Sequence, residues 1–204
     1  MIEDGKIVYD VGCDHAYLDI YLMKYCKPKR CYAIDIRPSV IKIANENVRK
    51  YNVDVPVLCN NGLNGLELED DSVAVIAGMG TRNILKIIKN NPPIEMILQS
   101  NDDLFLLRGE VSKMGYEIVD EQVVYEAGYY YVFIKCKKGQ TIYTEQQLLL
   151  GPILMKKQST VYIQYLEYLL DKYERMIHNI PDEFWGNRVK IEQKKQLVTQ
   201  FLTN

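Results

Sequence analysis

The chain has 204 residues, 48% of them hydrophobic, with 25 lysines and arginines against 27 acids and a net charge of −2. That is enough for one core domain and a smaller appendage, and with no global basic field any nucleic-acid contact must be a local patch. No apolar run is long enough to cross a bilayer, no signal peptide opens the chain, and two distant histidines with five cysteines outside any C-x-x-C pair offer no zinc spacing. A cytoplasmic chain with free thiols, no membrane segment and no metal is expected.

Apolar β-branched runs alternate with amphipathic ones from the start. Strands are expected near Lys6–Val11, Cys31–Ile36, Val55–Cys59, Val73–Ala77 and Met96–Gln99. Helical patterns fall between them, near His15–Cys26, Ser39–Tyr51, Thr81–Asn90 and Asp102–Met114. Such alternation implies an α/β fold with a parallel sheet covered on both faces. Two further strands, Glu117–Tyr125 and Tyr129–Cys136, flank Ala127-Gly128 and read as a hairpin, giving a seven-stranded, mostly parallel sheet. After Gly139 the character changes. Thr144 heads a new helical pattern, and Pro152 kinks or restarts it. Met155, Tyr162, Leu166, Leu169, Tyr173, Met176 and Ile180 then form a heptad seam that Pro181 interrupts, and Ile191, Val198 and Leu202 form a second. The expected domains are 1–143, the sheet, and 144–204, a helical coiled-coil hairpin.

In an open parallel sheet, ligands bind beyond the carboxyl ends of the strands. Asp10-Val11-Gly12 lies at that edge of the first strand, and Asp35 ends the second, 23 residues after Gly12. Glycine permits close approach of a ligand, and the second acid suits the two hydroxyls of a ribose. A dinucleotide fingerprint would need two more glycines where Asp14, His15 and Ala16 stand, and Asp14 would repel a pyrophosphate. S-adenosylmethionine carries no phosphate, and its ammonium and sulfonium welcome carboxylates. Asp14 is equally readable as the cap of the helix from His15, and His15 as a partly buried helix residue. Asn61-Gly62 could read an adenine edge or make an ordinary turn. Ala77-Gly78-Met79-Gly80 could admit a flat base or simply enter a helix. Asn101, after Gln99, is also a credible cap.

The segments DVGCDHAYLDIYL, AIDI, NNGL, IAGMG, ILQSN and LLLGPILMKK follow one another from about Lys6 to the C-terminus. In that order they resemble the bacterial tRNA adenine-N1 methyltransferases of the TrmK type, which modify adenosine 22. The resemblance implies a class I, Rossmann-like methyltransferase domain with a C-terminal coiled coil, S-adenosyl-L-methionine as cofactor and tRNA as partner of a monomer. It implies that Asp10, Gly12, His15, Asp35, Ile36, Asn61, Gly62, Ala77, Gly78 and Met79 hold the cofactor. Asp14 resembles the acid that acts on the target adenine, with Tyr17, Gly80, Gln99 and Asn101 beside it. The basic pair Lys156-Lys157 is read as a phosphate contact or a solvated helix turn. Three positions depart from the family pattern: Asn61 stands where aspartate is usual, Thr81 where a second glycine is, and Ser100 where proline is. The family usually has a basic helix before the first strand, where only five residues precede Lys6 here. A different reading is therefore a catalytically inactive RNA-binding protein that keeps the fold.

Overall fold

Ile7–Val11 (β1) is buried at every position, as a strand covered on both faces must be. In the computed structural model, which describes residues 1–203, β1 is an interior strand of a seven-stranded sheet. It pairs in parallel with Arg30–Asp35 (β2) on one side and Ser72–Met79 (β4) on the other. Val57–Cys59 (β3) extends the sheet beyond β2, and Glu95–Ser100 (β5) extends it beyond β4. Tyr116–Glu126 (β6) and Tyr129–Lys138 (β7) complete the order β3-β2-β1-β4-β5-β7-β6, with β7 antiparallel to β5. The hairpin turns at Ala127 (φ 50°) and Gly128 (φ 88°), both left-handed, which suits the twist of paired strands.

The connecting helices are Tyr17–Tyr25 (α1), Pro38–Lys50 (α2), Thr81–Asn90 (α3) and Leu104–Lys113 (α4). All these elements lie within two residues of their expected limits. Pro38 opens α2 with the φ a first turn needs. The cap of α4 is Asp103, whose carboxylate accepts from the Leu106 N–H at 3.0 Å, and Asn101 does not cap it. The order reverses between β1 and β4, so the crevice expected of such a sheet opens at the carboxyl ends of β1, β2 and β4.

The chain divides into two compact units, Met1–Asp120 with Phe133–Thr141, and Glu121–Val132 with Ile142 onward. The outer half of the hairpin thus belongs with the helices, whereas the sequence placed it with the sheet. Within the second unit, Glu145–Leu150 (α5) carries a capping box: the Thr144 hydroxyl accepts from the Gln147 N–H, and the Gln147 side chain accepts from the Thr144 N–H. Gly151 (φ 94°) ends it and Leu154–Lys157 (α6) follows, so Pro152 separates two helices rather than kinking one. Met155, expected in the long seam, sits on this short helix instead. Thr160–Asn179 (α7) and Trp185–Thr203 (α8) pack antiparallel: Tyr162 meets Phe201, Glu174 pairs with Lys195, and the Arg188 guanidinium donates to the Ile177 carbonyl. Only the seam's first half is buried, Tyr162, Leu166 and Leu169 with Tyr165, while Met176 is exposed. Val198 alone of the second seam is buried. Asn204, the end of the expected helical domain, lies outside the described residues.

Candidate active site

The turn from β1 to α1 is built from left-handed residues: Gly12 (φ 82°), Asp14 (φ 48°) and Ala16 (φ 57°). Such a φ is unfavourable for residues with a Cβ and persists where surrounding contacts hold it. Here the Gly12 and Cys13 N–H groups donate to the Ile34 carbonyl, Ala16 N–H to that of Cys13, and the Asn47 amide to that of His15. The helix starts at Tyr17 with Ala16 at its N-cap and no side-chain cap. Asp14 is therefore not the capping residue it could have been. Its side chain is 64% exposed, with an oxygen 3.7 Å from His15 Nε2 and another 3.6 Å from the Arg37 guanidinium. Gly12 is called for by its φ, and a Cβ there would also press on the Met79 methyl, the end of a flexible side chain.

Asp35, at the end of β2, is buried but faces the same crevice. The Arg37 side chain folds back to it with two nitrogens at 3.0 Å, and the Arg37 N–H donates at 2.9 Å. Burial works to raise the Asp35 carboxyl, but the hydrogen bonds and charge of Arg37 outweigh it and hold the group below its ordinary value. It is thus a carboxylate, ready to accept from hydroxyls.

A cavity of about 800 Å³ joins these groups, a size typical of small-molecule sites. Its walls include Gly12, Asp14, Asp35, Ile36, Asn61, Gly62, Ala77, Gly78 and Met79 from the sequence reading. They also include Asn60, from the same loop as Asn61, and Arg37, Asn83, Lys86 and Ile87, which that reading missed. Asn83, Lys86 and Ile87 share one face of α3 at spacings of three and four, so the helical period behind the Ala77–Gly80 loop carried the signal. Asn60 shapes the neighbouring turn, its amide donating to the Gly62 and Asn64 carbonyls at 3.0 Å.

Other expected site residues stand outside this cavity. Asp10 is buried beneath α1 with Asp19, whose two oxygens meet no donor. Two carboxylates can hydrogen-bond only if one keeps a proton. Burial is the main cause that raises both groups, and for Asp19 the nearby Asp10 charge adds to it, so the pair favours keeping a proton over carrying two charges. Gln99 is buried and supports the β4 bulge: its carbonyl accepts from the Gly78 N–H at 2.7 Å and its amide donates to Asn101 at 3.1 Å. His15 and Gly80 lie on the two loops that flank the cavity, and Tyr17 opens α1 beyond the first of them. Thr81 is buried and turned toward Ser100 and Asp103, so it does not narrow the cavity. Lys156 and Lys157 are exposed in the second unit, where Lys157 donates to the Glu121 carbonyl at 3.0 Å. Among the described residues no cluster could hold a metal, and no helix is long and apolar enough to cross a membrane.

Comparison with known proteins places this geometry. A Bacillus subtilis protein, tRNA (adenine(22)-N(1))-methyltransferase, is 27% identical over 86% of this chain and 81% of its own length. TrmK of M. capricolum, solved with S-adenosyl-homocysteine, superposes with a TM-score of 0.84 at 27% identity, covering 100% of this chain and 93% of that one. A Streptococcus pneumoniae structure with bound S-adenosyl-L-methionine superposes with a TM-score of 0.86 at 29% identity, covering 98% of this chain and 94% of that one. The family TrmK, tRNA (adenine(22)-N(1))-methyltransferase, matches residues 8–203, and this chain belongs to it.

Proposed function

We propose that the chain transfers the methyl group of S-adenosyl-L-methionine to N1 of an adenine in tRNA, at position 22 as its family description states. The observation that carries this reading is one cavity holding the buried carboxylate of Asp35, the backbone approach at Gly12 and the open carboxylate of Asp14. These residues fit the cofactor. Asp35 suits the ribose hydroxyls, Asn61 an adenine edge, and the open carboxylate of Asp14 at the turn disfavours a ligand with a phosphate there. Once bound there, S-adenosylmethionine supplies an electrophilic methyl on a sulfonium sulfur.

The protein's own part is positioning and charge. The lone pair of adenine N1 must lie in line with the methyl, and holding it there supplies most of the acceleration. Methylation at N1 would leave positive charge on the adenine, spread from N1 toward the N6 amino group. Asp14 accepts a hydrogen bond from N6, stabilising that charge, or takes the proton afterwards. His15, 3.7 Å away, orients the Asp14 carboxylate. Lys156 supplies a phosphate contact from the second unit.

The test is incubation of the chain with S-adenosylmethionine and tRNA, followed by nuclease digestion and mass spectrometry. The expected product is N1-methyladenosine at a single position. Binding of tRNA with no methylated product would instead favour an inactive RNA-binding protein.

A further inference from the structure

Helix α1 leads away from the Asp14 turn with three tyrosines on its outer face, Tyr17, Tyr21 and Tyr25, spaced four residues apart. Side chains at that spacing stack along one face of a helix, and the row is ~12 Å long. They are 57%, 56% and 74% exposed, which is unusual for rings of this size and leaves their apolar faces in water. The row is continuous with the methyl-transfer site, since His15 packs on Tyr17 at 5.7 Å between centroids, and Tyr21 packs on Tyr25 at 5.2 Å. Its far end is basic. Lys24 and Lys50 both lie over the Tyr51 ring, at 4.9 and 5.7 Å. The single acid of α1, Asp19, is wholly buried on the opposite face.

Exposed aromatic faces flanked by cations are what an unpaired RNA strand requires: a flat surface for bases and positive charge for its phosphates. A protein partner's apolar surface would want the rings but not the flanking lysines. We infer that the face of α1 formed by Tyr21, Tyr25 and Lys24, with Tyr51 beside it, is a stacking platform for unpaired nucleotides flanking the target adenine. The inference rests on the proposed tRNA substrate. It assigns the neighbouring nucleotides to this helix and leaves the reacting base to the Asp14 cavity.

The experiment replaces Tyr21→Ala and Tyr25→Ala together in the full chain. Both rings are exposed, so the thermal midpoint and the affinity for S-adenosylmethionine stay at wild-type values. The affinity for fluorescently labelled tRNA should fall about tenfold or more. The pair Tyr21→Phe with Tyr25→Phe should retain wild-type affinity, because the ring face and not the hydroxyl does the work, whereas leucine at both positions should not. Unchanged tRNA affinity in the alanine pair, or full rescue by leucine, overturns the platform. So does a wild-type dimer that the alanine pair abolishes, which would make the face a contact between copies. A second measurement separates this inference from the proposed reaction. A single-stranded RNA pentamer is photo-crosslinked to the chain and the adducts are mapped by mass spectrometry. Adducts at Tyr21 or Tyr25 support the platform even if no tRNA is methylated. Methylation of tRNA without adducts at either position overturns the platform and leaves the reaction standing.

Discussion

The hydroxyl oxygens of Thr81 and Ser100 lie 2.8 Å apart in the buried end of the β4–β5 pair. The resemblance implied a departure at each of these positions, and the structure shows that the two side chains meet. The single Thr81 hydroxyl proton has two acceptors within reach, the Ser100 hydroxyl and the Asp103 carbonyl at 2.9 Å. Asp102 closes the group, within 2.8 Å of the Thr81 N–H, which donates to it, and of the Ser100 hydroxyl, and the Thr81 side chain and backbone are the main causes that hold its carboxyl well below the usual range. The network pins the first turn of α3, and with it the loop Ala77–Gly80 at the cavity.

Thr81→Ala and Ser100→Ala should each destabilise the fold by about 1–2 kcal/mol, since each removes a partner from a buried hydroxyl. The double variant should lose less than the sum, with a coupling of at least about 0.5 kcal/mol. Denaturant titrations of the four proteins measure it. Strict additivity would mean that the two hydroxyls do not support one another.

Asp35→Ala should weaken cofactor binding roughly 10- to 150-fold, the loss of a charged hydrogen-bond acceptor. Calorimetric titration with S-adenosyl-homocysteine reads this directly. Because Arg37 forks the same carboxylate, its guanidinium loses its main partner in that variant, and Arg37→Ala separates the two contributions. Wild-type affinity in the Asp35→Ala protein would remove it from the cofactor site.

The Asp10–Asp19 pair sets a pH dependence with a definite sign. Both carboxyls are raised above their ordinary 3.8, so in the folded state the pair keeps a proton that the unfolded chain has released. At this pair the folded state binds more protons above that value, so the pair's contribution to stability falls as pH rises from about 4 through neutrality. Asp19→Asn supplies an amide donor to Asp10 without a retained proton. It should flatten the dependence and raise the thermal midpoint at pH 8 above wild type. A wild-type midpoint that climbs relative to the Asp19→Asn protein between pH 5 and pH 8 would contradict the assignment.

Strands, helices and hairpin were readable because burial on both faces leaves β-branched runs and the outer helices keep a 3.6 period. The corner residues Gly12 and Asp35 were readable from spacing alone. Arg37 was not, because its side chain turns back two residues onto Asp35, a local fold that no periodicity marks. Asp10 was misplaced for a similar reason. A strand covered on both faces has no polar side to show which way an acid points, and this one points under α1. The heptad seam was read as longer than its core, since Met176 satisfies the spacing yet remains exposed.

For the phosphate contacts of the second unit, Lys156→Ala should reduce the salt dependence of tRNA binding by about one unit of slope with unchanged folding stability. Lys157→Ala should lower the thermal midpoint as well, because its amine also holds the Glu121 carbonyl. Binding titrations across a salt series distinguish them. An unaltered slope in Lys156→Ala would place the phosphate contact elsewhere.

The central claim is that Asp14 serves the adenine and not the helix. Asp14→Asn keeps the shape of the side chain and removes its charge. In single-turnover methyl transfer to tRNA at saturating cofactor, the account predicts a rate roughly thirty- to a thousand-fold below wild type, a loss of about 2–4 kcal/mol of barrier stabilisation. Cofactor affinity and thermal midpoint should stay near wild type. Equal rates for the two proteins would contradict the account and leave Asp14 as a residue of the turn.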